Sequence, residues 1–251
     1  MKQLKKGIAV ISDIHGNSWA LQAVLRDIRQ RGIRYIVNLG DCFYGPLDPG
    51  GTAQLLMPLN IPTVRGNEDR VLVDMSIKAI PSSTIGYTRE CLQPQHLEWL
   101  KTLPLTAEFG EDFLLFHGSP RRDDEYVLVE VLEDKVAART PGDLASILEP
   151  YKQGVFLCGH DHVSRFFSLP GGKLIVDPGS VGLQAYTDDL PWPHAMETYS
   201  PHARYSIIHE SEQGWQVENI ALPYDWGSAA EAAEKNDRPD WARWLMTGRA
   251  L

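Results

Sequence analysis

Val155-Phe156-Leu157-Cys158-Gly159-His160-Asp161-His162 joins a strand-length apolar run to a polar stretch with two histidines one residue apart. Successive side chains on an extended strand end point to opposite faces, so His160 and His162 are expected to share a face. Gly159 tolerates backbone angles that other residues avoid, and the chain can turn there to aim both imidazoles at one point. Histidine is the commonest side-chain metal ligand. A lone His-x-His is more often a chance surface pair. The pattern gains weight only if other strand ends bring further ligands to it.

The chain repeats the arrangement upstream. Gly7-Ile8-Ala9-Val10-Ile11-Ser12 reads as a buried strand and ends in Asp13, His15, Gly16 and Asn17. Ala20, Leu21, Val24, Leu25 and Ile28 then fall at helical spacing, with Asn17 or Ser18 placed to cap that helix. Strand, polar loop and helix open an α/β unit, and open α/β sheets place ligands at the carboxyl ends of their strands. Taken alone, Asp13 and His15 fit a helix-capping turn equally well. Tyr35-Ile36-Val37-Asn38-Leu39 leads into Gly40-Asp41, where an Asp in a Gly/Pro turn is the plainer reading and Cys42 a small buried filler. Ile61 to Arg65 reads as a short strand ending in Gly66-Asn67-Glu68-Asp69. Asn67 either offers an amide oxygen to a metal or caps a helix over 69–78. Leu105 to Phe109 and Phe113 to Phe116 form a hairpin, whose second strand ends in His117-Gly118-Ser119-Pro120-Arg121-Arg122.

Elsewhere the signals are plainer. Helices are expected over 51–58, as a pair over 84–103 opened in its second half by Pro94, and over most of 126–150. His96 is placed on the surface of that pair. Residues 163–176 read as a hairpin, and 184–203, rich in Pro and holding His194 and His202, as a long loop. Tyr205 to His209 and Trp215 to Ile220 make the last antiparallel pair. A helical tail starts at about 225, with Ser228 and Glu231 as a capping box and Pro239 opening a final helix docked by Trp241, Trp244 and Leu245. The 251 residues show no repeat and no long linker, which indicates one domain over 1–251. A net charge of −9 disfavours nucleic acid and anionic membrane as partners. Three scattered cysteines and the lack of a signal peptide point to the cytoplasm, and no run is apolar for the ~20 residues of a membrane span. Oligomeric state is not readable.

Asp13, His15, Asp41, Asn67, His117, His160 and His162 thus stand at five strand ends. Capping and turn chemistry does not call for four histidines. Mixed imidazole and carboxylate ligands suit Mn, Fe, Zn, Co or Ni. Seven potential ligands exceed the needs of one ion and suit two ions sharing a bridging carboxylate.

In order and spacing, Asp13-Ile14-His15-Gly16-Asn17, Gly40-Asp41, Gly66-Asn67, His117-Gly118 and Gly159-His160-Asp161-His162 resemble the blocks of the calcineurin-like metallophosphoesterases. The Gly-Pro after Asp41, the run His117 to Arg121 and Pro178-Gly179-Ser180-Val181-Gly182 resemble a small bacterial, phosphodiesterase-like branch. The resemblance implies an α/β fold, a four-layer α/β/β/α sandwich. It implies a first metal on Asp13, His15 and His162, a second on Asn67, His117 and His160, and Asp41 as the bridge. Manganese is the foremost choice of ion. The implied activity is a hydrolase that cleaves phosphate esters, diesters first, by a metal-bound hydroxide. A phosphomonoesterase or nucleotide phosphatase, or a noncatalytic metal-binding scaffold, is the alternative.

The implied substrate is a small phosphate ester, with Asn67, Arg121 and Arg122 as contacts. One arginine would steady phosphate oxygens and the other would pair with Asp123 or Asp124. Many relatives follow Gly-Asn with a histidine that protonates the leaving group. Here Glu68 stands in that place, as a possible acid or as a solvent-facing helix start. A weak acid at that position favours esters with good leaving groups, such as aryl diesters. Phe43 and Tyr44 beside Asp41 fit core packing better than stacking on a base.

Overall fold

The computed structural model describes residues 7–78, 80 and 83–250, so both ends of the expected 1–251 domain lie outside the described residues. Strand β1 (Ile8–Ile11) shows how the layers arise. It is buried throughout, and alternation divides its side chains between two cores. Ile8 and Val10 face one core, while Ala9 and Ile11 face another. β1 runs parallel to β2 (Tyr35–Asn38), with Ile8 opposite Tyr35. Its other edge pairs antiparallel with β12 (Ala203–Ser211), which continues to β13 (Gly214–Leu222). The order of this sheet is β13-β12-β1-β2.

The second sheet has the order β3-β4-β7-β9-β8. It is built from β3 (Thr106–Phe109), β4 (Phe113–Phe116), β7 (Val155–Leu157), β8 (Arg165–Ser168) and β9 (Leu174–Asp177). β4, β7 and β9 run parallel at its centre, so their carboxyl ends open on one side. Val10, Val37, Phe113, Leu115, Val155, Leu157 and Val176 fill the space between the sheets. Each such side chain contributes on the order of 2 kcal/mol. Outside the first sheet, Ala9 and Ile11 pack under Ala20, Leu21 and Val24 of α1 (Ser18–Gln30). Outside the second, Leu114, Phe116 and Phe156 pack under Leu144 and Leu148 of α6 (Pro141–Leu148). The result is the α/β/β/α sandwich that the resemblance implies.

Several local expectations hold. Asn17 caps α1, accepting from the Ala20 N–H at 3.0 Å. α2 (Pro49–Leu56), α4 (Thr84–Cys91) and α5 (Pro94–Lys101) form near the expected bounds. α7 (Trp226–Lys235) and α8 (Pro239–Thr247) make the tail, with Gly248 left-handed at the end of α8.

Others fail for identifiable reasons. α3 is Asn67–Val73, shorter than the helix expected over 69–78, because Asp74 turns to an extended conformation. Residues 126–150 are not mainly helical. β5 (Val129–Val131) and β6 (Val136–Ala138) pair antiparallel there, with Val129 and Val131 buried and Glu130 exposed between them. Residues 184–203 are not one loop, since β10 (Ala185–Asp188) and β11 (His194–Glu197) pair around a turn. Ile61 to Arg65 contributes only one bridge, Thr63 to Asn38. The cap of α7 is Asp225, which accepts from the Ser228 N–H, and Ser228 lies inside the helix. His96 is buried, and its Nδ1 accepts from the Gln93 N–H to close the first turn of α5.

Candidate metal centre

The site lies where the strand ends of both sheets meet, and its backbone is unusual. Asp13, His15, Asp41, His160 and His162 all have positive φ, between 51° and 76°. His160 and His162, after Gly159, both border one cavity from left-handed backbone positions. Strand alternation does not bring them together, because β7 ends at Leu157. For a residue with a Cβ this conformation costs roughly 1–2 kcal/mol, and Asp and His are among the side chains that tolerate it best.

Hydrogen bonds between the loops offset the cost. The Asp13 N–H donates to Gly40 O (3.0 Å), the His15 N–H to Asp41 O (3.0 Å) and the Gly159 N–H to His117 O (2.8 Å). The Asp69 carboxylate accepts from the N–H groups of Asp41 (2.9 Å), Cys42 (2.9 Å) and Gly66 (3.0 Å). Asp69 thus fixes the Asp41 turn against Gly66, a role that its reading as an acidic helix start missed. A Cβ on Gly40 would strike the backbone of Gly66, which explains glycine there.

Two ligand triads result, Asp13-His15-His162 and Asp13-Asp41-His117. Tautomers decide what they can hold. His15 Nδ1 lies 3.1 Å from Tyr44 O, His162 Nδ1 2.7 Å from Leu183 O and His117 Nδ1 2.8 Å from Leu39 O. A carbonyl only accepts, so each Nδ1 carries a proton and each neutral ring presents its Nε2 lone pair to the site. His15 Nε2 and His162 Nε2 then face each other at 3.1 Å. Burial, with His162 beside it, holds the His15 pKa down to about 4, so the His15 ring is neutral at pH 7. Asp13 Oδ1 is buried without a hydrogen-bond partner and lies 3.3 Å from His162 Nε2. Two facing Nε2 atoms and an orphaned carboxylate oxygen fit a cation.

The second triad is similarly rich in acceptors. His117 Nε2 lies 3.1 Å from Asn67 Oδ1, 3.3 Å from Asp41 Oδ2 and 3.8 Å from Asp13 Oδ1. Burial opposes charge on this ring, but Asp41 and Asp13 outweigh it and raise its pKa to about 10. Asp41 Oδ2 is also 3.8 Å from His15 Nε2, so this carboxylate spans both triads. His160 belongs to neither. Its ring lies 5.1 Å from that of His117 and stacks on Tyr126 at 4.5 Å, and its N–H donates to Asp13 Oδ2 at 3.2 Å.

A cavity of about 290 Å³ opens over the triads, lined in part by His15, Asp41, Asn67, Glu68, His160 and His162. Burial, then Asp41 and Asp69, pushes Glu68 up to about 8, and its N–H donates to Asp41 Oδ1 at 2.9 Å. Arg122 borders a second cavity of about 500 Å³ that shares Asn67 and His160, and its Nε donates to Asp124 at 2.9 Å. Arg121 is exposed and lines neither cavity. Phe43 is buried in the core, whereas Tyr44 borders the first cavity. Tyr126 and Tyr186, which sequence reading did not single out, also line it, with their hydroxyls 2.8 Å apart.

The chain is similar to known proteins over nearly its whole length. The calcineurin-like phosphoesterase superfamily domain matches residues 7–191. An uncharacterized protein of Methanocaldococcus jannaschii is 30% identical over 250 residues, covering 95% of this chain and 96% of that one. A metallophosphoesterase from Sphaerobacter thermophilus superposes with a TM-score of 0.73 at 23% identity, covering 96% of this chain and 99% of that one. A hypothetical protein of Pyrococcus horikoshii superposes at 0.70 and 19% identity, covering 98% and 99%. Among the described residues no helix is long and apolar enough to cross a membrane.

Proposed function

The chain belongs to the calcineurin-like phosphoesterase superfamily, and on that premise we propose that it is a metal-dependent hydrolase of small phosphate esters, diesters before monoesters, acting as one domain in the cytoplasm. The observation that carries this is the pair of Nε2 atoms of His15 and His162, 3.1 Å apart beside an unpartnered Asp13 oxygen. Asp13, His15 and His162 would hold one divalent cation. Asn67, His117 and His160 would hold a second, with Asp41 between them and manganese the foremost ion. When bound, the cations supply Lewis acidity, neutralising charge on phosphoryl oxygens and activating water for attack. No protein nucleophile is required.

The chain's own residues do the positioning. Tyr44 O, Leu183 O and Leu39 O accept from the three Nδ1–H groups and so aim each Nε2 at the site, where His117 must first give up the proton that Asp41 and Asp13 hold on it. Asp69 and the Glu68 N–H hold the Asp41 turn and carboxylate in place. The Glu68 carboxyl borders the cavity where a leaving oxygen would sit and is the candidate proton donor. Three unpaired thiols, two of them buried, suit a reducing compartment. The test is metal content of the purified protein together with hydrolysis of bis-(p-nitrophenyl) phosphate in manganese. About two ions per chain and turnover abolished by chelator are expected. A chain that stays metal-free and inert in saturating manganese would refute the proposal.

A further inference from the structure

The cavity over the ligand triads has a second wall, and it comes from the far end of the chain. Arg238, Trp241 and Trp244, on and just before α8, line it together with Tyr44. These three residues lie beyond 191, where the matched family domain ends. Resting on the phosphoester reading above, we propose that α8 is the specificity element of this site, and that its indoles bind a planar aromatic group, aryl or nucleobase, carried by the phosphate ester.

The contacts are direct. The Trp241 ring meets the His15 ring edge-on, with centroids 5.8 Å apart. Trp244 follows at 6.2 Å from Trp241, tilted by 39°. Trp241 and Trp244 are 4% and 6% exposed, so an aromatic group attached to a phosphate at the triads would meet a narrow strip of indole in the wall of the same 290 Å³ cavity. The buried Trp244 Nε1 has no hydrogen-bond partner, although a buried indole N–H ordinarily finds an acceptor.

The wall is held rigidly. The Arg238 guanidinium packs over Trp241 at 5.4 Å while Nε and Nη2 donate to the Asp240 carboxylate at 2.9 and 2.6 Å, and Nη1 donates to Thr84. Its charge is thus committed to orienting the indole. Asn236 donates to Pro46 O at 2.8 Å, tying the helix pair to the loop after Asp41. At the other end the Tyr199 N–H donates to Gly248 O at 2.9 Å. A Cβ on Gly45 would strike His15 O and come within 3.1 Å of Trp241, so α8 and the ligand loops are close-packed.

Binding of phenylphosphonate and methylphosphonate to the manganese-loaded full chain, measured by calorimetry, separates this role from simple packing. The two carry the same anionic group and differ in the organic one. The wild type is expected to bind phenylphosphonate about tenfold tighter, as contact between an aromatic ring and an indole allows. Trp241→Leu should bring the ratio close to one while methylphosphonate still binds. Trp241→Phe, which keeps a ring and packs more conservatively, should retain part of the preference. Equal binding of both ligands by the wild type, or an undiminished preference in both variants, overturns the proposal. A phenyl preference in a chain that hydrolyses no ester would sink the hydrolase reading and leave the wall standing. Binding of neither ligand would end both.

Discussion

The triad around His15 and the triad around His117 share Asp13, yet they differ in what a cation must displace. At the first, two imidazole Nε2 atoms face each other 3.1 Å apart, and burial keeps His15 neutral down to about pH 4. At the second, Asp41 and Asp13 overcome burial and keep His117 protonated up to about pH 10. A proton already occupies the place a cation would take. Similar ligand types thus make one half of the centre open to a cation and the other half gated by proton loss, because one imidazole faces another imidazole and the other faces carboxylates.

The largest effect should come from the carboxylate that reaches both halves. Asp41→Asn should remove both cations and lower bis-(p-nitrophenyl) phosphate turnover by at least about 10³-fold. Retention of one tightly bound ion, measured by elemental analysis, would break the idea that Asp41 serves the two halves together. Next comes the asymmetry itself. Below its pKa of about 10, His117 must lose a proton for each cation bound, so affinity at that half should rise about tenfold per pH unit between pH 6.5 and 8.5. Over the same range His15 is already neutral, and its half should change little. Manganese titrations at the two pH values check this, and parallel shifts at both halves would erase the distinction.

Smaller still is the effect of Asp69→Asn, which keeps the shape but weakens three hydrogen bonds to the Asp41 and Gly66 turns. Metal affinity should fall by about 10–100-fold, as at other sites stripped of outer support. A thermal scan without metal distinguishes this from general unfolding. The smallest change is expected from Glu68→Gln. It should slow nitrophenyl esters only a few-fold and alkyl esters by about 10²-fold, if the carboxyl donates the proton to the leaving oxygen. Equal losses on both esters would assign Glu68 to packing.

The candidate ligands were legible in the sequence because each sits in its own short block after an apolar run, with glycine or asparagine close by. Asp13, Asp41, Asn67, His117 and His162 needed only the inference that the ends of those segments meet, and they do so where the two sheets come together. What was illegible depends on contacts between distant segments. Asp69 looks like a helix start, and only the fold shows its carboxylate beneath Asp41. Val129 and Val131 pattern weakly over three residues, too short for a strand to stand out from a helix. The β10 and β11 hairpin hides among prolines and charges. Trp241 and Trp244 were read as docking residues, which they are, but the face they dock against includes a candidate ligand.

The positive φ at Asp13, His15, Asp41, His160 and His162 has a consequence for how such a centre can change through mutation. Main-chain shape acts there as a filter on residue identity before any chemistry is selected. Valine or isoleucine at these positions would disturb the loops themselves, whereas asparagine or glycine could replace a ligand and leave the path of the chain intact. Descendants that abandon hydrolysis while keeping the scaffold should therefore drift toward Asn and Gly at these five places, leaving a recognisable scar where the metal used to be.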